Sequence, residues 1–246
     1  MEDDQRPGWF KTRRYILAAV AFLLAVIFLF TVTGRWLTVF TGPAFTFLRE
    51  SWALSGDPLV EELRNSVVRV YVEGRPGTSG GQIRGTGFNL DPEGLVVTNR
   101  HLVEDALSVR VSFSGVGTFS SGQWTVHPDA DLAVIELEAE GLPAVSVSDL
   151  PALPGQEILI IGNPLQFARI ANKGSVVGYR ENRHSDIPFL VVEALIYPGS
   201  SGSPVFNEQG EVVGVIFATL RNNSNGEVRG LAVDAAEVKR FLESID

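Results

Sequence analysis

The sequence predicts an all-β domain of antiparallel sheets, preceded by one N-terminal membrane helix and followed by one C-terminal helix. Three patterns along the 246 residues support this fold class. The first is a run of twenty residues without a charge. The second is a series of ten short apolar segments separated by turn residues, and the third is a single amphipathic segment at the end.

The uncharged run covers residues 15–34 and reads YILAAVAFLLAVIFLFTVTG. Twenty helical residues span a hydrocarbon core of about 30 Å. Lys11, Arg13 and Arg14 precede the run and Arg35 alone follows it, so the positive-inside bias predicts a cytoplasmic tail over 1–14. A cleaved signal peptide is the rival interpretation, but the run exceeds the usual h-region of 7–15 residues. Residues 35–58, which are rich in aromatics, are predicted to form a juxtamembrane linker.

From Glu61 onward, short runs rich in β-branched residues alternate with turn residues, without helical runs between them. Such spacing favours a closed or sandwiched antiparallel architecture over alternating α/β units. The predicted strands are SVVRVYV, GTGFNL, GLVVTN, SVRVSF, DLAVIEL, EILIIG, GSVVGY, FLVVEA, GEVVGVIFA and GLAV. The helix is predicted over 234–245, with Asp234 as its N-cap and an apolar face of Val238, Phe241, Leu242 and Ile245.

The composition excludes several functions. The chain has 45% hydrophobic residues, enough for a substantial core, and no cysteine, which excludes disulfides, cysteine nucleophiles and thiolate metal sites. From residue 61 onward 24 acidic residues face 14 basic ones, and this net charge of −10 would repel nucleic acid.

The three histidines, His101, His127 and His184, form no closely spaced pair, so we expect no metal site and no cofactor. All three precede the serine-rich stretch YPGSSGSPVF, residues 197–206. That order excludes an α/β-hydrolase, in which the histidine follows the serine. It leaves the orders His–Asp–Ser and Asp–His–Ser for a serine-based triad.

The first order has a candidate for each role. His101 follows the apolar strand GLVVTN, where a rigid strand end can hold a general base, and Asp131 precedes the apolar strand LAVIEL. A carboxylate there can orient the imidazole and stabilise imidazolium. Asp129 and Asp105 are rival candidates, but no strand follows either of them directly.

Ser201 lies in the frame Gly-x-Ser-Gly-x-Pro, from Gly199 to Pro204. Glycines permit a tight turn on which the backbone N–H groups of Gly199 and Ser201 converge as an oxyanion hole. Ser200 and Ser203 lack this frame and are expected to support the turn.

These segments resemble the chymotrypsin-fold serine peptidases, in particular their HtrA (Deg-type) branch. The matching blocks run in order from about residue 57 to 245: DPLVEELRNSVVRVYV, GTGFNLDPEGLVVTNRHLV, DADLAVIEL, IIGNPL with GSVVG, and GSSGSPVFNEQGEVVGV. The resemblance implies two perpendicular antiparallel β-barrels within a peptidase domain over 59–246. The barrels would cover about 59–150 and 151–233, with His101 and Asp131 on the first barrel and Ser201 on the second. It also implies that Ser201 attacks a peptide carbonyl while His101 moves the proton.

The sequence departs from the family pattern at Pro198, Ser200 and Ser203, where arginine, asparagine and glycine are common. NPLQFARIANKG, residues 163–174, is expected to be the activation loop beside the nucleophile. By the same resemblance Leu195 and Ile196 line the substrate pocket, faced by VIFATL. With no acid at its base, this pocket predicts cleavage after small or aliphatic residues. The family's usual PDZ domain is not expected after the terminal helix.

The sequence therefore predicts a membrane-anchored serine endopeptidase that acts on exported or unfolded proteins outside the cytoplasm, in quality control or signalling. Its partners would be protein or peptide substrates and the membrane, with no nucleic acid, and the resemblance implies a homotrimer. The alternative is a protease-fold pseudoenzyme that grips extended peptides as a scaffold without cleaving them.

Overall fold

The computed structural model describes residues 43–74, 82–182, 185–221 and 228–245. Four α-helices lie in these ranges: α1 (Pro43–Ala53), α2 (Pro58–Ser66), the short α3 (Arg100–Val103) and α4 (Ala235–Ile245). A 3₁₀ turn covers Pro164–Gln166. The strands are β1 (Val67–Gly74), β2 (Gln82–Asn89), β3 (Leu95–Thr98), β4 (Ala106–Phe113), β5 (Gly117–Ser121), β6 (Gln123–Val126), β7 (Ala133–Glu136), β8 (Glu157–Gly162), β9 (Ile170–Arg180), β10 (Phe189–Glu193), β11 (Pro204–Phe206), β12 (Val212–Arg221) and β13 (Val228–Asp234).

The N-terminal half forms an open seven-stranded sheet in the order β5-β4-β1-β2-β3-β7-β6. The first of the two predicted barrels is therefore a half-barrel in the described strands, an open sheet rather than a closed one. The physical reason lies at Gly122, the single residue between edge strands β5 and β6. An antiparallel hairpin needs a turn of at least two residues, so these strands cannot pair directly across the seam. The sheet nevertheless curls until its edges meet, since Ser121 Oγ donates to the carbonyl of Glu136 on β7 at 2.7 Å.

The C-terminal half is a closed barrel of six strands in the order β10-β13-β12-β11-β8-β9, with antiparallel pairing throughout. The predicted all-β class and the closed second barrel are thus confirmed, and so is the C-terminal helix. Asp234 caps this helix as expected, because its Oδ1 accepts the N–H of Ala236 at 2.8 Å. The apolar face of α4 packs through Val238 and Phe241, which are both buried.

Three apolar clusters stabilise this arrangement. One fills the curled sheet and includes Val70 and Phe113, and another fills the barrel and includes Ile160 and Leu190. The third lies between the two halves, joining side chains of the sheet, the barrel, α2 and α4: Val60, Leu63, Phe88, Leu132, Ile161, Phe206, Val215 and Phe241. This shared cluster holds the facing ends of the two halves together, where the candidate site lies.

The predicted membrane helix, residues 15–34, lies outside the described residues, and so does His184. Within the described ranges, no helix has the length and apolar character needed to cross a membrane. Part of the segment predicted as a linker, residues 35–58, is helical, because α1 covers Pro43–Ala53. Ser51 on α1 is buried, and its Oγ accepts the N–H of Ala171 at the start of β9.

Three strands were not among the predicted ones: β5, β6 and β11. Strand β11 is only three residues long and lies within the serine-rich stretch. The sequences of β5 and β6, GTFSS and QWTV, are short and carry few apolar residues. Both lie at the edges of the sheet, where one side of the backbone has no partner strand and little side-chain burial is needed.

Candidate active site

His101 and Asp131 are joined by two hydrogen bonds. The His101 backbone N–H donates to Asp131 Oδ1 at 2.9 Å, and His101 Nδ1 lies 2.6 Å from Asp131 Oδ2. A carboxylate at Nδ1 holds the proton on that nitrogen and leaves Nε2 as the acceptor. The His101 side chain is 43% exposed, against 24% for Asp131, so the imidazole is the more accessible partner. The pair has the geometry of a general base and its orienting carboxylate.

The segment that carries Asp131 is fixed from two directions. From the His101 side, Asn99 Nδ2 donates to the Asp131 carbonyl at 2.9 Å, and Arg100 donates to the carbonyls of His127 and Pro128. From the other side, buried His127 bonds to Glu237 on α4 at 3.0 Å. His127 is therefore a structural residue in the described part of the chain, and its ring holds the segment against the terminal helix.

Of the three candidate carboxylates, Asp131 is the one that bonds to His101 among the described residues. Asp105 is exposed on the loop after α3. Asp129 is also exposed, and its backbone N–H donates to His127 Nδ1. The rival carboxylates thus lie in the same region of the fold without making this contact.

The serine-rich stretch forms a tight turn between β10 and β11. Its backbone closes on itself through Ser200 N–H to Tyr197 O and Ser203 N–H to Ser200 O, both 3.0 Å. Gly202 has a φ of +82°, and a Cβ there would lie 2.0 Å from the carbonyl oxygen of Thr86. Only glycine fits this position, because the turn lies directly against β2.

This packing brings Ser201 to the end of the strand that leads to His101. The Thr86 N–H donates to the Ser201 carbonyl at 2.9 Å, and Thr98 Oγ1 donates to the Thr86 carbonyl at 2.7 Å. Thr98 is the last residue of β3, and His101 follows in α3. No hydrogen bond joins Ser201 Oγ to His101 Nε2 in the described part of the structure. Ser201 and His101, the predicted nucleophile and base, thus occupy facing segments without direct bonding.

The peptide between Pro198 and Gly199 has a defined orientation. The Leu165 N–H donates to the Pro198 carbonyl at 2.9 Å, and Thr86 Oγ1 donates to the Gly199 carbonyl at 2.8 Å. In a trans peptide the N–H points away from its carbonyl, so the Gly199 N–H faces away from Leu165. Within the described residues neither the Gly199 N–H nor the Ser201 N–H donates to a protein acceptor. Both donors are thus available to an oxyanion.

A cavity of about 190 Å³ opens beside Ser201, lined by Ile196, Tyr197, Pro198, Ser201 and residues 216–219 of β12. Ile196 thus lines the cavity as the sequence predicted, whereas Leu195 is not among the described lining residues. Ile196 extends toward Gly230 on β13, where a Cβ would come within 2.2 Å of its Cδ1. No carboxylate is found among the described lining residues. Burial raises the pKa of the Tyr197 phenol above its ordinary value.

The family model for the trypsin-like peptidase domain matches residues 85–215, just over half of the chain. The chain belongs to the trypsin-like peptidase domain family. Within this family the matched region runs from β2 through the Ser201 turn to β12, and so it contains His101, Asp131 and Ser201.

Curated relatives of this trypsin-like domain include bacterial serine endoproteases. A probable periplasmic DegP-like serine endoprotease of Chlamydia trachomatis is 31% identical over 167 residues, covering 66% of this chain and 34% of the relative. A protein of the same description from Marinomonas is 36% identical, covering 53% and 29%. The putative serine protease HhoB of Synechocystis is 32% identical, covering 65% and 40%. The chain thus spans about a third of the length of these relatives.

Solved structures share the same fold. The active form of the Rv3671c protease from M. tuberculosis superposes with a TM-score of 0.68 at 25% identity, covering 78% of this chain and 85% of that one. Its inactive form gives 0.64 at 24%, covering 78% and 95%. The HtrA-type protease AlgW, solved with a decapeptide, gives 0.63 at 21%, covering 76% and 66%. The trypsin-like assignment therefore rests on sequence and fold together.

Sequence reasoning missed several supporting residues of this trypsin-like site. Thr86 and Thr98 connect the Ser201 turn to β2 and β3. Asn163 donates to the Val68 carbonyl at 2.9 Å and lies against Gly199 in residues 198–201, which we call the oxyanion segment. Thr98 and Asn163 are polar residues at or directly after the ends of apolar strands, which was the available signal, whereas Thr86 lies in the middle of β2. No group of three or more metal-binding side chains occurs within the described ranges.

Proposed function

We propose that this chain is a serine endopeptidase in which Ser201 is the nucleophile, His101 the general base and Asp131 the orienting carboxylate. The observation that carries the proposal is the doubly bonded His101–Asp131 pair, set beside a turn that presents Ser201 with two uncommitted backbone N–H groups. Membership of the trypsin-like peptidase family supports the same assignment.

The chemistry follows from these positions. Ser201 Oγ attacks the substrate carbonyl as its proton passes to His101 Nε2, and Asp131 stabilises the imidazolium. The Gly199 and Ser201 N–H groups donate to the oxyanion, and one such donor contributes about 3–4 kcal/mol. When the C–N bond breaks, His101 returns the proton to the leaving amine. Water then attacks the acyl-enzyme, giving its proton to Nε2, and the carboxylic acid and Ser201 hydroxyl are released.

The substrate pocket that we propose is the cavity lined by Ile196 and β12. Its small volume and apolar lining favour a small or aliphatic residue before the scissile bond. A lysine or arginine side chain would lose its hydration there without pairing to a carboxylate of the described lining residues. Desolvating this charge costs on the order of several kcal/mol.

For the setting, we propose a single membrane anchor over 15–34 with the peptidase domain on the extracytoplasmic side, where the substrates would be exported or unfolded proteins. The uncharged run and its flanking basic residues support this orientation. The description of the curated relatives as periplasmic is consistent with it. A homo-oligomer, with a trimer as the form that the HtrA resemblance favours, belongs to the same proposal.

A fluorophosphonate probe tests the nucleophile directly. We expect the full chain in detergent to be labelled and Ser203→Ala to keep the labelling. Ser201→Ala should lose nearly all of it, because the probe reacts with an activated serine hydroxyl. Ser203 is a matched control because it lies two residues away, is fully buried, and its Oγ has no partner among the described residues. Equal labelling of wild type and Ser201→Ala would rule out Ser201 as the nucleophile.

The alternative is a peptide-binding scaffold with a protease fold, and one observation favours it: Ser201 Oγ and His101 are not hydrogen-bonded in the structure. The same probe separates the two functions. A folded wild-type chain that binds extended peptides but is never labelled would support the scaffold.

A further inference from the structure

A second cavity, of about 670 Å³, lies on the other side of the oxyanion segment from the Ile196 cavity. Its lining includes Arg69 and Tyr71 of β1, Arg84 and Gly85 of β2, and Leu165 and Gly199 around the oxyanion segment. We call it the basic cavity, because its described lining residues include two guanidinium groups and no carboxylate. The two cavities share Pro198, so together they flank the bond that would be cleaved.

The strand register brings the two arginines to this cavity. Arg69 pairs with Thr86, and Tyr71 pairs with Arg84 on the neighbouring strand, so both arginines lie on the same face of the sheet. The guanidinium of Arg84 lies 5.7 Å from the centre of the Tyr71 ring, in a cation–π arrangement. Arg84 also donates to Gln82 Oε1 at 2.9 Å. These contacts restrain a long side chain at the rim of the cavity.

The positive character of this cavity contrasts with the rest of the domain. From residue 61 onward the chain carries a net charge of −10. The carboxylate of Glu73, two residues beyond Tyr71 on the same face, is engaged elsewhere, since Arg110 donates to it at 3.1 Å and Ser108 at 3.2 Å. A local cluster of arginines in an acidic domain indicates a site for an anion rather than general surface charge.

The path of a substrate identifies which part would reach the basic cavity. On the proposed function, the residue before the scissile bond occupies the Ile196 cavity and its carbonyl oxygen lies between the Gly199 and Ser201 N–H groups. The leaving half of the peptide must then continue across the oxyanion segment, past Gly199, toward β1 and β2. The basic cavity begins there, because Gly85 and Gly199 both line it.

We propose that the basic cavity is a specificity site that binds a carboxylate of the leaving half of the substrate, with Arg69 and Arg84 as its recognition residues. The planar guanidinium donates two parallel hydrogen bonds to a carboxylate, which gives direction as well as charge complementarity. The inference rests on the proposed peptidase function. The carboxylate comes from a glutamate or aspartate side chain within two or three residues after the scissile bond, or from the C-terminus of a peptide ending there.

Peptide substrates test the proposal on the full chain in detergent. One series keeps the same aliphatic residue before the scissile bond and carries Glu, Gln or Lys at each of the three following positions. A second series ends after two such positions, as the free acid or the amide, which separates the two sources of the carboxylate. We expect kcat/KM to be about five- to tenfold higher for Glu than for Gln, or for the acid than for the amide, and the ratio to fall with added salt.

Three variants test which residues produce the preference. Arg69→Gln and Arg84→Gln each bring the Glu/Gln or acid/amide ratio close to one, and Arg84→Glu turns it toward Lys. Arg180→Gln is the matched control, because Arg180 is an exposed arginine at the end of β9, on the barrel, and is not among the described lining residues of the cavity. It keeps the wild-type ratio. An equal loss in all four variants would overturn the proposal, since it would indicate surface charge rather than a site.

Two further measurements separate this proposal from the peptidase function. An aminomethylcoumarin substrate has no residues after the scissile bond. If it is hydrolysed while the peptide ratios are all close to one, the site is refuted and the peptidase stands. Affinity of the Ser201→Ala chain for the same peptides needs no turnover: tighter binding of the carboxylate peptides, lost in Arg84→Gln, supports the site even if cleavage fails.

Vesicles of phosphatidylglycerol test whether the anion is a lipid headgroup. Vesicle binding that needs both arginines, without discrimination between the peptides, would assign the cavity to lipid and overturn the proposal.

Discussion

At Asp131 both carboxylate oxygens are committed to His101, one to its backbone N–H and the other to its ring. The imidazole is therefore oriented relative to its own backbone, and rotation about its side-chain bonds would break one contact. Asn99 holds the Asp131 carbonyl and so fixes the acceptor as well as the donor. Orientation at this site is a property of three neighbouring residues.

Asp131→Asn should separate orientation from folding. An amide keeps the shape but offers only one acceptor oxygen, and its NH₂ group favours the wrong tautomer of His101. We expect kcat to fall by about 10³–10⁴-fold. The midpoint of thermal unfolding should stay within a few degrees of the wild-type value. Peptidase kinetics and circular dichroism measure the two. Activity within tenfold of wild type would show that Asp131 does not orient the base.

At the scale of elements, the loop from Asn163 to Arg169 is held in an unfavourable backbone conformation. Leu165 and Arg169 both have a φ of +50°, which non-glycine residues rarely adopt. The loop retains this shape through two bonds: Leu165 N–H to Pro198 O at 2.9 Å, and Arg169 N–H to Asn163 Oδ1 at 3.1 Å. The first bond also orients the Gly199 N–H, so the loop conformation and the proposed oxyanion hole depend on one another.

Substitutions at Leu165 measure this strain. Leu165 is 42% exposed, so Ala and Gly lose similar packing, but only Gly adopts a positive φ without cost. We expect Leu165→Gly to exceed Leu165→Ala in free energy of unfolding by about 0.5–1 kcal/mol, measured by urea denaturation. At Leu153, which is exposed and has no positive φ, the order should reverse. An alanine variant as stable as the glycine variant at Leu165 would contradict the strain.

At the level of the whole molecule, a polar contact links strand β9 of the barrel to Asp234, the residue that caps the terminal helix. The Tyr179 hydroxyl on β9 donates to Asp234 Oδ2 at 2.6 Å, and Asp234 Oδ1 caps α4. Burial, and then the hydrogen bond to the Asp234 carboxylate, raise the pKa of Tyr179. The native state thus keeps the phenol proton at a pH where the unfolded chain has lost it.

The sign of the pH dependence follows from this raised pKa. Above about pH 10 unfolding releases the Tyr179 proton, so this residue's contribution to stability is complete below pH 10 and is lost as the pH rises further. We expect Tyr179→Phe to lower the free energy of unfolding by about 1–2 kcal/mol at pH 7. The gap to wild type should narrow from pH 10 to 11.5 in denaturant titrations. A gap that stays constant over this range would contradict the raised pKa.

Features that depend on local pattern and chain order could be predicted from the amino-acid sequence. The spacing of apolar residues predicted ten of the thirteen described strands and the helix with its Asp234 cap, and the position of all histidines before Ser201 excluded an α/β-hydrolase. The Gly-x-Ser-Gly-x-Pro frame singled out Ser201 among three neighbouring serines. The net negative charge from residue 61 onward predicted that nucleic acid is not a partner. Each of these inferences needs only neighbouring residues or their order.

Features that depend on contacts between distant residues could be assigned only from the folded chain. Three aspartates were compatible with His101 in sequence, and the packing of the 127–131 segment between Arg100 and α4 brings Asp131 to it. The open first sheet follows from the position of its edge strands, and the placement of Ile196 follows from the space above Gly230. Arg69 and Arg84 are fifteen positions apart, and only the register of β1 on β2 makes them neighbours. Strand register and packing are set by the whole chain, which local periodicity does not encode.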